Sequence, residues 1–150
     1  MLATDTLGEE KHRSSIRLFC DKARIIFIGF DITRRESFDA CQLYFEDIIT
    51  NGERNWLLVL VGNKTDLVDQ RQVTSDVVRD YLNSVKARFP ERTVLYFETS
   101  AKTGEGVKEL FESSLRTFVQ MQGESFDSLL YPTNINETPE SKKQDKCTIC

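Results

Sequence analysis

The sequence predicts an α/β fold, a three-layer and mostly parallel sheet with helices on both faces. Three observations predict it. Leu57-Leu58-Val59-Leu60-Val61 is an apolar run with no period-2 alternation, the mark of a strand covered on both faces, and Arg24-Ile25-Ile26-Phe27-Ile28-Gly29-Phe30-Asp31 is a second apolar, β-branched run of strand length. Segments of helical period alternate with strand-like runs, and that order makes the sheet parallel and its crossovers right-handed. The Leu57 run stops at Gly62 and passes into the polar Asn63-Lys64-Thr65-Asp66, the way a buried parallel strand delivers a binding loop beyond its carboxyl end.

With 150 residues, 39% hydrophobic and 29% charged, the chain can bury the core of one domain and carry a tail. Its formal charge of -4 argues against a general nucleic-acid binder, because phosphate backbones require a basic face. No run reaches the ~18 to 20 apolar residues of a membrane span, and Met1 to Glu10 lacks the basic-then-apolar pattern of a secretory signal. Cys20 and Cys41 sit in helix-like apolar settings and Cys147 and Cys150 in the tail, so a disulfide framework is not expected and a reducing, cytoplasmic setting is.

Taken in order, Asp5 to Glu10 reads as an exposed turn entering a polar segment, and Lys11 to Lys22 as a short basic helix anchored by Ile16, Leu18 and Phe19. His12, the only histidine, has no nucleophile or metal-ligand spacing around it and reads as a solvated side chain. The Arg24–Asp31 run is a strand beside the Leu57 strand. Phe38, Cys41, Phe45 and Ile48 recur at helical steps, a core-facing stripe that ends near Asn51-Gly52. Leu67 to Val73 reads as a polar loop. Thr74 or Ser75 then caps a helix with Val78, Tyr81, Leu82, Val85 and Phe89 on its apolar face, stopped by Pro90. Thr93 to Phe97 is the next strand, and Val107, Leu110, Phe111, Ser114, Leu115, Phe118 and Val119 trace one face of a helix begun near Gly106. From Gly123 onward the apolar periodicity fails, so a domain over 1–122 and a flexible tail over 123–150 are expected.

The loop after the Leu57 strand suits a guanine base. A carboxylate such as Asp66 accepts through two oxygens, and guanine offers two adjacent donors on its Watson–Crick edge, a bidentate pair that adenine cannot make. Lys64 can lay its stem along the base, and Asn63 carries both donor and acceptor atoms to tie neighbouring loops together. By itself Asn-Lys-Thr-Asp is also a common surface turn.

A second strand-into-loop stretch, Tyr96-Phe97-Glu98-Thr99-Ser100-Ala101-Lys102, follows one helix and one strand later. Together the two resemble the base-recognition motifs of small GTPases, Asn-Lys-x-Asp and Ser-Ala-Lys. Asp5-Thr6-Leu7-Gly8 resembles the family's Asp-x-x-Gly motif, and Ile32 to Phe38, after Asp31, resembles the Asp-x-Thr-x-x-x-Ser-Phe connection of the Rab branch. The resemblance implies a small GTPase fold of the P-loop NTPase kind and GTP or GDP as ligand. It implies that Ser100 and Ala101 offer backbone N–H groups to the guanine oxygen and that Lys102 covers the base. It further implies that Gly8 gives its N–H to the terminal phosphate and that Asp5 supports Mg2+ through water. Glu9 departs from the family, which has Gln there to orient the attacking water; ionised Glu donates no hydrogen bond.

The 150 residues contain no Gly-x-x-x-x-Gly-Lys-[Ser/Thr] phosphate loop, so the chain is expected to be a small GTPase truncated at its N-terminus, with that loop and the first switch missing. The family's first strand, which lies between the strand entering Asp5 and the strand Ile25 to Phe30, would go with them and leave a long apolar edge. Whether such a chain is still an enzyme is left open by these residues. The tail closes with three lysines and Cys147-Thr148-Ile149-Cys150. A redox or zinc half-site would want a second ligand pair or a helix beneath it. Lipidation of Cys147 and Cys150 fits better, and two lipids, or one with the lysines, would hold the chain on the cytosolic face of a membrane. The implied partners are guanine nucleotide, Rab effectors, and escort and prenylation factors, with a role in vesicle traffic. The alternative is a lipid-anchored interaction protein, or truncated gene product, that never hydrolyses nucleotide.

Overall fold

A computed structural model of the chain describes residues 2–5, 23–51, 56–123 and 146–149. Five parallel strands form one sheet: β1 (Leu2–Asp5), β2 (Ala23–Asp31), β3 (Leu57–Asn63), β4 (Val94–Thr99) and β5 (Lys146–Ile149), in the spatial order β1-β5-β2-β3-β4. Three α-helices are described, α1 (Arg35–Asn51), α2 (Ser75–Arg88) and α3 (Val107–Met121). The α/β class with a parallel sheet is therefore as expected.

The two apolar runs are β2 and β3, both inner strands, and their unbroken hydrophobicity follows from helices lying on both faces. Ile26, Ile28 and Phe30 of β2 and Leu58 and Leu60 of β3 point to one side, where they pack with Phe38, Cys41, Phe45, Ile48 and Ile49 of α1 and Val78 and Val85 of α2. The alternate residues Ile25, Phe27, Leu57, Val59 and Val61 pack on the other side with Leu110, Phe111, Leu115 and Phe118 of α3. Rings lock both layers at their edges, Phe38 and Phe45 against Tyr81 and Phe27 against Phe111.

Helix boundaries follow local chemistry. Of the two candidates before α2, Thr74 is the cap: its side chain accepts from the Val77 amide, which satisfies one of the free donors of the first turn. Ser114 is fully buried in α3 because its hydroxyl donates back to the Leu110 carbonyl at 2.6 Å.

Three expectations need correcting. The stretch after Asp66 is not an open loop, because Thr65–Gln70 forms a short 3-10 helix. Strand β3 does not end at Gly62 but continues through Asn63; a Cβ at Gly62 would lie 3.0 Å from the Tyr96 hydroxyl and 3.2 Å from the Ile32 and Phe30 side chains, which would have to give way. Lys146–Ile149, within the stretch expected to be a flexible tail, is a strand, and it lies in the place beside β2 that was expected to be bare. The basic helix expected over Lys11 to Lys22 lies outside the described residues.

Candidate functional site

The carboxyl ends of β2, β3 and β4 all point the same way, and their loops converge beyond the sheet. Asp31 closes β2. Its Oδ1 accepts from the Thr33 amide at 2.9 Å and the Thr33 hydroxyl at 2.7 Å, and the Ser37 hydroxyl donates to the Asp31 and Arg34 carbonyls. These bonds are the physical content of Asp-x-Thr-x-x-x-Ser, a side-chain-capped turn into α1.

After Asn63 the chain turns through Lys64, the one non-glycine residue with positive φ among the described residues, at 72°. Lys64 Nζ reaches Asp31 Oδ2 at 2.6 Å. Burial pushes the Asp31 carboxyl up, but the Lys64 and Thr33 hydrogen bonds outweigh it and hold the group below its ordinary value. The left-handed turn sets Asp66 in the first turn of the 3-10 helix, facing the loop after β4.

That loop is wound tightly. The Ser100 amide donates to the Glu105 carbonyl and the Gly104 amide to the Ser100 carbonyl, at 3.0 and 2.8 Å. Ser100 is fully buried, and its hydroxyl donates to Asp66 Oδ1 at 2.6 Å while accepting from the Thr103 amide at 3.2 Å. Lys102 Nζ lies 3.7 Å from Asp66 Oδ2. The Ser100 hydrogen bond first, and Lys102 further off, hold the Asp66 carboxyl below the usual range, so it is an ionised acceptor at neutral pH. Asn63 Oδ1 accepts from the Ala101 amide at 3.0 Å, joining the two loops. Asn63, Lys64, Asp66, Leu67, Ala101 and Lys102 line a cleft of about 380 Å3.

The structure thus brings Asn63, Lys64, Asp66, Ala101 and Lys102 into one cleft, with the buried Ser100 hydrogen-bonded to Asp66. The amides of Ser100 and Ala101 are both given to partners inside the protein, so a guanine oxygen would have to share or take the Ala101 donor from Asn63. Asp5 ends β1, but Gly8 and Glu9 lie outside the described residues. Cys147 lies in β5, and Cys150 lies outside. Among the described residues no group of three or more His, Cys, Asp or Glu comes together to hold a metal ion.

A supporting network beneath the cleft was not foreseen. Glu98, near the end of β4, pairs bidentately with Arg71, with Nη1 to Oε1 at 2.9 Å and Nη2 to Oε2 at 2.6 Å. It also accepts from the Tyr96 hydroxyl at 2.7 Å and the Ser75 hydroxyl at 3.0 Å. The network ties the loop after the 3-10 helix and the start of α2 to the strand that delivers Ser100. Arg71 and Glu98 lie 27 positions apart, and neither belongs to a periodic pattern, so only the fold pairs them.

The pairing has a pH signature. The Arg71 hydrogen bonds hold the Glu98 carboxyl down at about 2, against an ordinary value of 4.5. A depressed carboxyl contributes stability above its unfolded pKa and loses it as the pH falls through its folded pKa, here between about 4.5 and 2. Urea midpoints measured over that range should show an acid loss of order 2 kcal/mol from this group, allowing for solvent screening. Glu98→Gln should be less stable at pH 7 and should lack that part of the acid dependence; an unchanged profile would remove the network from the account.

A parallel α/β sheet with loops gathered into a cleft at its carboxyl end defines the general class of doubly covered ligand-binding proteins. Comparison with known sequences narrows it. The Ras family profile matches residues 1–120, and the chain belongs to that family. It is 32% identical over 118 residues to the Ras-related protein RABF2b of Arabidopsis thaliana, covering 79% of this chain and 56% of that protein. It is 34% identical over 125 residues to the Ras-related protein Rab-17 of Mus musculus, covering 83% of this chain and 55% of that protein. The chain is thus Rab-like, and it spans about half the length of these curated relatives.

Proposed function

We propose that the cleft between Lys64 and Lys102 binds the guanine base of GTP or GDP, and that the protein serves in membrane traffic as Rab-like proteins do. One observation carries the reading: Asp66 is held ionised at the mouth of a cleft of about 380 Å3, with its Oδ1 fixed by Ser100 and Lys64 and Lys102 on either side. A carboxylate so held has lone pairs left for the two donors of guanine. Without a phosphate loop in these 150 residues, the base contacts carry most of the affinity, and binding is guanine-selective but weak. No described residue is placed to orient water or stabilise a transferring phosphoryl group, so this chain by itself is not assigned hydrolysis.

Calorimetric titration of the chain with GDP and with ADP tests this. GDP should bind and ADP should not; equal affinities would sink the base-recognition reading. A single-turnover assay with GTP should show no rate above background.

A second reading rests on the C-terminal segment, where three lysines precede Cys147 and Cys150. Lipid thioethers at these cysteines would anchor the chain to the cytosolic face of a membrane, where it would engage escort and prenylation factors, and effectors, without cycling nucleotide. Among the described residues no helix is long and apolar enough to cross a membrane. Membrane partition lost in the double variant Cys147→Ser, Cys150→Ser would favour this reading.

A further inference from the structure

The recognition loop is gripped by the turn that joins β2 to α1. The Ile32 amide donates to the Asn63 carbonyl at 3.1 Å, and the Ile32 carbonyl accepts from the Gln72 and Val73 amides at 2.9 and 3.0 Å. Both ends of the segment that carries Asp66 therefore close on one residue of a neighbouring turn. Beside Ile32, Asp31 takes hold of a side chain between those ends, Lys64, whose Nζ lies 2.6 Å from Asp31 Oδ2.

In this pair the carboxylate is the fixed partner. The Asp31 side chain is 12% exposed against 50% for Lys64. Its Oδ1 is occupied by the Thr33 amide and hydroxyl, and the Asp31 amide donates to the Ser37 hydroxyl at 3.0 Å. Lys64 is the long and exposed partner, and on a loop such a side chain would otherwise sample many rotamers. The ion pair ends that freedom: with its backbone at φ 72° and its ammonium at Asp31, the methylene stem is fixed at both ends. The surface of the cleft is almost wholly apolar, so what Lys64 gives to it is this stem rather than the ammonium.

We propose that Asp31 is a positioning residue for base recognition: without touching the ligand, it holds the Lys64 ammonium and thereby fixes the Lys64 stem as a preformed wall of the cleft. The inference rests on the base-binding reading given above. A wall fixed beforehand spares the ligand the cost of ordering it, so loss of the hold should weaken binding roughly three- to ten-fold. The sign is informative. A carboxylate near a nucleotide repels its phosphates, so if Asp31 acted by its charge on the ligand, removing that charge would strengthen GDP binding.

Asp31→Asn isolates the hold, because asparagine keeps an Oδ1 acceptor for Thr33 and sets an NH2 donor against the ammonium. Binding of guanosine and of GDP to the full chain is followed by the NMR shifts of the Leu67 and Ala101 amides, with circular dichroism reporting the fold. Asp31→Asn should weaken both ligands by the same factor. Lys64→Met keeps an unbranched stem and has no ammonium to hold; in that background, adding Asp31→Asn should change affinity by less than about two-fold. An equal loss in both backgrounds, or opposite effects on guanosine and GDP, overturns the proposal. An unsubstituted chain that binds neither ligand fells the base-binding reading and the proposal together, whereas binding that ignores Asp31→Asn fells the proposal alone. Should Asp31→Asn fail to fold, the Lys64 ammonium of the unsubstituted chain decides, observed by nitrogen NMR and identified by its loss in Lys64→Met. An ordered resonance that exchanges slowly with water supports the hold, and one as mobile as those of exposed lysines overturns it.

Discussion

Asp66→Ala is expected to abolish the preference for guanine while leaving the chain folded. In the proposed complex guanine's two adjacent donors would be read by the carboxylate alone, since the Ser100 and Ala101 amides and the Lys102 ammonium are donors, none of which accepts a hydrogen bond from the base edge. Losing two charge-assisted bonds should weaken GDP by roughly a hundred-fold, and ADP should be indifferent to the change. The fold should tolerate it because Asp66 sits at the cleft's mouth, and Ser100 keeps its bond from the Thr103 amide and its own amide bond to Glu105. Displacement of a fluorescent guanine nucleotide by GDP and ADP, with circular dichroism as the folding control, measures both. A variant that still prefers GDP would mean that some other acceptor reads the base.

Gly106→Ala should do more damage than its size suggests. Gly106 precedes α3 with φ of 71°, and a Cβ there would lie 2.3 Å from the Glu98 carbonyl oxygen and 3.4 Å from Thr99 Cγ2. The first contact is with backbone, so no rotamer relieves it. Strand β4 and the start of α3 would have to separate, and the Ser100–Glu105 and Gly104–Ser100 bonds that wind the recognition loop would open with them. Gly104→Ala is the control: its φ is 84°, yet nothing lies within 4 Å of the added carbon. That variant bears only the left-handed backbone cost of about 1 to 2 kcal/mol. Gly106→Ala should cost at least about 2 kcal/mol more and lose nucleotide binding. Equal urea midpoints for the two variants would show that the close approach to Glu98 is not a constraint.

Much of this was legible in the residues because it is written locally. The runs at Ile25 and Leu57 announce strands covered on both faces, and the steps from Phe38 to Ile48 announce the helix above them. The cleft residues could be read for the same reason, since Asn63 to Asp66 and Ser100 to Lys102 follow directly from strands. What could not be read depends on distant partners. Lys146–Ile149 has no period and modest apolarity, and its strand conformation comes from β1 and β2 rather than from itself. The left-handed turn falls on Lys64, a residue type that gives no warning of it, and is held by an ion pair to Asp31 that only the fold creates. The Arg71–Glu98 pair belongs to the same class.

The place of β5 also sets an order of assembly. Leu2 lies beside Lys146, and among the described strands β1 has no other partner than β5. β1 must therefore wait for β5 before it can join the sheet. While the chain emerges from a ribosome, β2, β3 and β4 can close with their helices, leaving the outer edge of β2 as exposed backbone for as long as synthesis takes to reach Lys146. Contacts of such sequence separation slow folding, and an open parallel edge invites neighbouring chains. Refolding should accordingly show two phases, a fast one reported by the buried Trp56 just before β3 and a slower one in which β1 and β5 join the sheet together.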